Sequence, residues 1–121
     1  MANAERRSRG IATLRSNGAL TQSAGGYAMT LLGFASLTHT ANGTTLTGRV
    51  GAAGYGGGFL GEVLWQGRGA FAPADVVAGW MNSPPHLDII LDPNYRDAGV
   101  GCAFRGGGSS QEIRCAMDVG A

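Results

Sequence analysis

The feature that most constrains this chain is a pair of cysteines, Cys102 and Cys115, placed symmetrically about a glycine- and serine-rich centre. Before that centre, Val100, Cys102 and Phe104 alternate with small residues. After it, Ile113, Cys115, Met117 and Val119 alternate with polar or small ones. Period-two alternation marks half-buried strands, so strands are predicted over 98–104 and 112–119. The symmetry point falls between Gly108 and Ser109, where a hairpin turn needs sterically permissive residues. In that register the two cysteines are direct cross-strand neighbours, at a separation that a disulfide spans. Such a bond would restrict the unfolded chain by about 3 kcal/mol. It would also imply an oxidising, extracytoplasmic compartment. The alternative is two buried thiols on facing strands.

A chain of 121 residues is long enough for one compact domain with its own core and too short for two. Glycine occupies 22 positions without a three-residue period, so collagen is excluded, and 44% hydrophobic content argues for a folded core rather than disorder. The net charge is only +1, which argues against a nucleic-acid surface built from clustered cations. All nine basic residues are Arg. Without Lys there is no Schiff-base chemistry, no pyridoxal attachment, no phosphate-loop lysine and no Ser-Lys dyad. No apolar run is long enough to cross a membrane, and residues 1–10 are too polar for a signal peptide.

Along the chain, residues 2–9 read as a helix closed by Gly10. A second helix is predicted over 18–32, with Leu20, Ala24, Tyr27, Ala28, Leu31 and Ala35 recurring at helical spacing to give one apolar face. Gly25 and Gly26 in its middle cost about 1 kcal/mol each relative to Ala, which makes sense if another backbone packs closely there. Residues 44–53 are expected to form a short helix capped by Thr44, and 61–66 a strand. Pro73 opens a helix carrying Val76, Val77, Trp80 and Met81, and Ser83-Pro84 opens another, with Ser83 as its cap. Helices first and an antiparallel pair last is an α+β pattern.

Few residues are equipped for chemistry. His39 and His86 are the two histidines, and His86 falls in the first turn of the helix beginning at Pro84, where a neutral ring is favoured. Glu62 stands alone in the apolar stretch Phe59–Trp65, where a carboxylate is costly unless it has a partner. Each also has a plain reading: a capping or hydrogen-bonding role for the histidines, an outward-pointing strand residue for Glu62. The run from Gly56 to Gly61 matches a dinucleotide-binding pattern but lacks the flanking strand and helix. Asn42-Gly43-Thr44 is better read as a turn than as a glycosylation site. No serine has a context that marks it as an activated nucleophile.

These landmarks, in order, resemble the CAP superfamily of cysteine-rich secretory, antigen 5 and pathogenesis-related 1 proteins, and its bacterial SCP-like branch most closely. The matching residues are Asn3-Ala4-Glu5-Arg6, Phe34 through His39-Thr40, Gly61-Glu62, Gly79-Trp80-Met81-Asn82-Ser83-Pro84-Pro85-His86, Ile90-Leu91 and Gly99-Val100-Gly101. The resemblance implies an α-β-α sandwich with a small antiparallel sheet between helical layers and an open cleft. It implies a single domain over residues 1–121, truncated at its N-terminus, with an export signal upstream. It also implies that His39, Glu62 and His86 converge in the cleft, where other members hold zinc or another divalent cation with two His and two acids. The second acid falls within Asn82–Ser83, where this chain has none, and Val63 and Ile89 replace asparagines usual in the family.

The expectation is therefore a secreted, monomeric domain whose cleft binds a divalent cation, a lipid or a peptide-like ligand, without defined catalysis. Two imidazoles and one carboxylate suffice for Zn²⁺ if water completes the shell. The alternative is a metal-dependent hydrolase of protease or esterase type, with Glu62 as its base. A third reading is an extracellular interaction module that binds a partner protein and whose His/Glu cluster is structural.

Overall fold

The computed structural model describes residues 2–121. In chain order its elements are α1 (Ala2–Arg7), β1 (Arg15–Ser16), α2 (Gly18–Leu31), α3 (Leu46–Ala52), β2 (Leu60–Arg68), α4 (Pro73–Met81), α5 (Pro84–Ile90), β3 (Asp97–Arg105) and β4 (Glu112–Gly120). The four strands lie in the order β1-β3-β4-β2. The architecture is α+β, with the sheet between helical layers.

The hairpin carries the centre of the sheet. β3 and β4 are antiparallel with Cys102 opposite Cys115, and the two are joined by a disulfide. The turn between them has Gly106 and Gly108 at φ 79° and 61°, a region closed to most side chains. β2 runs antiparallel along the other edge of β4. The sheet is mixed rather than wholly antiparallel, because β1 pairs in parallel with Asp97 and Ala98 of β3. β1 is two exposed residues long, too short to leave a periodic trace in the sequence.

Alternation divides the strands between two cores. Ile113, Cys115, Met117 and Val119 pack with Val63 against Val76 and Trp80 of α4 and Ile90 of α5. Leu64 and Ala116 face the opposite way, onto Ala24, Tyr27 and Leu31 of α2. The Trp80 indole N–H donates to the Leu64 carbonyl at 2.9 Å, so α4 is fixed to β2 by a buried polar bond as well as by area.

Close packing of α2 on β3 depends on glycines of the strand. A Cβ on Gly101 would lie 2.3 Å from the Cα of Gly25, and one on Gly99 only 2.0 Å from the Thr21 nitrogen. The expected backbone approach at Gly25 is thus real, but Gly101 permits it; a Cβ on Gly25 or Gly26 would meet nothing within 4 Å.

Local signals also differ in detail from expectation. Thr45, not Thr44, caps α3, accepting the Gly48 N–H at 3.1 Å. Thr44 instead closes the preceding turn, its N–H donating to the Ala41 carbonyl. Ser83 occupies the N-cap position of α5 but makes no capping bond through its side chain. Pro85 has no N–H at the second helical position, and the Ser83 side chain does not bond that of His86 at the third.

Candidate functional site

The site is built on the α2 side of β2 and β4. Glu62 and Asp118 are cross-strand partners, and both side chains are buried under α2 and α3. Directly opposed residues project to the same face, so the two carboxyls are brought together. The loop after α2 is held by Tyr27, whose hydroxyl donates to the Thr38 carbonyl and accepts the Ala41 N–H. That loop delivers His39, whose Nδ1 lies 2.8 Å from Glu62 Oε1. A carboxylate only accepts, so Nδ1 carries the proton and Nε2 faces outward. The His39 side chain is 55% exposed and that of Glu62 only 1%.

Helix α3 supplies the partner that the Glu62 carboxylate needs. Arg49 Nη2 donates to both Glu62 oxygens, at 2.7 and 2.8 Å. Its Nη1 donates to the His39 carbonyl at 2.9 Å and to Thr44 Oγ1 at 3.1 Å. The guanidinium carbon sits 3.5 Å from the centre of the Tyr27 ring, a cation–π contact in a nearly closed space. The cation is therefore held through both terminal nitrogens and one face, with its buried Nε left unpartnered, and fixes His39 as well as Glu62.

Two carboxyls so close together cannot both be ionised cheaply. Burial pushes the Asp118 carboxyl up, and its bond to Glu62 and the Glu62 charge add to this, to about 8. The Ser23 hydroxyl, donating to Asp118 Oδ2 at 2.9 Å, opposes the shift only in part. Asp118 is thus protonated at neutral pH and donates to Glu62. Burial also works to raise Glu62, but bonds from His39, Asp118 and Arg49 and the Arg49 charge outweigh it, and its carboxyl is held below the usual range. A carboxylate offers about four lone-pair directions, of which Arg49 takes two and His39 one.

His86 lies in the first turn of α5, and its pKa is lowered by burial first and by the nearby His39 second. Its Nδ1 is buried and has no hydrogen-bond partner. The structure thus joins His39 to Glu62 directly and places His86 near enough to feel His39, without a bond between His86 and either residue. Arg49, Asp118, Ser23 and Tyr27 escaped sequence reasoning. A usable signal existed for one of them: the isolated Glu62 demanded a cation, and Arg49 is the basic residue on the neighbouring helix.

Glu62 is not free to ligate a divalent metal in this arrangement. Both of its oxygens are turned to a guanidinium, and the lone pair of the His39 imidazole lies on Nε2, away from Glu62. Among the described residues, no three His, Cys, Asp or Glu side chains are grouped so as to hold a metal ion. The cavity adjoining the cluster, about 270 Å³, is lined by residues of α2 and α3, among them Ser23, Tyr27 and Arg49, rather than by His39, Glu62 or His86.

The fold is shared with several bacterial proteins. An outer surface protein of Borrelia burgdorferi superposes with a TM-score of 0.80 at 22% identity, over 98% of this chain and 86% of its own. An extracellular protein of Bacillus anthracis containing an SCP domain gives 0.75 at 18% identity over 95% of this chain, and a cysteine-rich secretory protein of Staphylococcus aureus gives 0.71 at 17% over 99%. This chain spans 37% and 36% of those two longer proteins. Among curated proteins, none matches its sequence. The sequence itself matches the cysteine-rich secretory protein (CAP) family over residues 1–117, and the chain belongs to that family.

Proposed function

We propose that this is an extracytoplasmic CAP domain that binds a polar, peptide-like ligand at the His39 rim and does not catalyse a reaction. One observation carries this reading: Glu62, the carboxylate beneath the rim, is held by Arg49 through both oxygens and by His39, and is 1% exposed, so it anchors His39 rather than facing a ligand as a base. What faces solvent is the outer edge of the His39 ring, flanked by the Thr38 and Thr40 hydroxyls, which lie 3.3 Å apart. Such a rim offers hydrogen bonds rather than apolar area, which favours a peptide over a lipid. The extracytoplasmic assignment is supported by the disulfide and by the outer-surface and extracellular proteins that share the fold.

The test is an amide NMR titration of the wild type and His39→Ala with a pool of random tetrapeptides, and separately with phospholipid vesicles. Shifts at Thr38, His39 and Thr40 with peptides, lost in His39→Ala, are expected. Shifts with vesicles alone would replace the peptide by a lipid. Cleavage of the peptides that disappears in a folded Glu62→Gln variant would replace binding by hydrolysis.

A further inference from the structure

We infer that Arg49 is the resident cation of this site and that its guanidinium is what keeps a metal off Glu62. The geometry gives the reason. A zinc ion bonds carboxylate oxygen at about 2.0–2.2 Å and imidazole nitrogen at about the same distance, using a lone pair from each. Arg49 Nη2 already lies 2.7 and 2.8 Å from the two Glu62 oxygens. A metal on those oxygens would share a buried space with a positive group that is held in place by the His39 carbonyl, Thr44 and the Tyr27 ring. Like charges at that range in a protein interior repel strongly.

Arg49 also reproduces two things a metal would do. It neutralises the buried Glu62 carboxylate, and through the His39 carbonyl it fixes the loop that carries the imidazole. In doing so it leaves His39 Nδ1 as a donor to Glu62, so the lone pair of the ring lies on Nε2, pointing away from the carboxylate. The missing second acid at Asn82–Ser83 then has a physical counterpart, since a site whose cation is covalently part of the chain needs one acid to balance it. The role of Arg49 does not depend on which ligand the His39 rim takes.

The experiment compares wild type, Arg49→Met and Glu62→Gln, with zinc chloride as the probe, by calorimetry and thermal unfolding. In the wild type no zinc binding through Glu62 is expected; either no heat, or heat unchanged in Glu62→Gln, supports the inference. Binding abolished by Glu62→Gln overturns it. In Arg49→Met, zinc is expected to raise Tm by about 5 °C or more at saturating concentration beyond any shift in the wild type. An Arg49→Met protein indifferent to zinc would overturn the claim that the guanidinium excludes the metal. If that variant is unfolded without metal, its refolding yield with and without zinc is the readout, with the same two outcomes. The double variant Arg49→Met/Glu62→Gln supplies an independent check. It is expected to be more stable than Arg49→Met alone, because no buried charge is left unpaired. A double variant no more stable than the single one would count against Arg49 as the cation that balances Glu62.

Discussion

Glu62 and Asp118 face each other across the β2–β4 ladder, and at neutral pH only Glu62 is ionised, because Asp118 is held protonated by burial and by the neighbouring charge. The shared proton turns a repulsive pair into a hydrogen bond. It also ties folding to pH.

The Asp118 carboxyl rises from its ordinary value of 3.8 to about 8 on folding, so between those values the folded state binds a proton that the unfolded state does not. Its contribution to stability is therefore complete below the unfolded value and is lost as pH rises through the folded one. Glu62 behaves oppositely: its pKa is lowered, so its contribution is present above its ordinary value of 4.5 and lost as pH falls through the lower one. Asn at position 118 keeps a donor for Glu62 and an acceptor for Ser23 without titrating. In urea unfolding, Asp118→Asn should gain on the wild type steadily between about pH 5 and about pH 8 and level off above that. A stability difference that stays constant over that range would contradict the shared proton.

Glycine-to-alanine changes at two touching positions should have opposite signs. Gly101→Ala places a methyl group 2.3 Å from the Gly25 Cα, against backbone that cannot step aside, and should cost about 3 kcal/mol. Gly25→Ala places one in open space within a helix and should stabilise by about 0.5–1 kcal/mol. Denaturant midpoints of the two variants decide the matter.

The Cys102–Cys115 bond closes a loop with a sequence separation of 13. Replacing both cysteines by Ala should lower stability by about 3 kcal/mol while leaving the far-ultraviolet circular dichroism of the native protein unchanged, since both strands are also held by backbone ladders. A cysteine-free protein that does not fold would mean that the bond is required for the fold and does more than restrict the unfolded chain.

Arg6 is wholly buried and donates to the carbonyls of Ala12, Ile90, Asp92 and Tyr95. It thereby ties α1 to the chain between α5 and β3. Arg6→Met keeps the volume but strands those acceptors, and should cost about 3 kcal/mol or more. Hydrogen exchange should show the loss first at residues 90–95, and protection unchanged there would argue against this role.

How far the sequence could be read depends on the range of the forces involved. Strand alternation, helix faces and the hairpin register are short-range patterns, and they located β3, β4, the disulfide, α2, α4 and α5 to within a few residues. β1 escaped because two exposed residues carry no pattern. Arg49 and Asp118 escaped for a different reason. Asp118 sits on what alternation marks as the polar face of β4, and polar faces are normally wet. Here α2 covers that face, so the polar position became a buried carboxyl in need of a proton.

From the sequence alone follow the α+β class, the cross-strand cysteines, and His39, Glu62 and His86 as the residues to watch. The first two rest on residue type and local spacing and the grouping of the last three on the family resemblance, none of which needs knowledge of the folded shape. Tertiary structure decided the rest: which cation meets Glu62, which nitrogen of His39 carries the proton, and which carboxyl gives up its charge. Those outcomes depend on desolvation and on charges a few ångströms apart. Such distances are created only when α2 and α3 close over the sheet, through the glycines of β3.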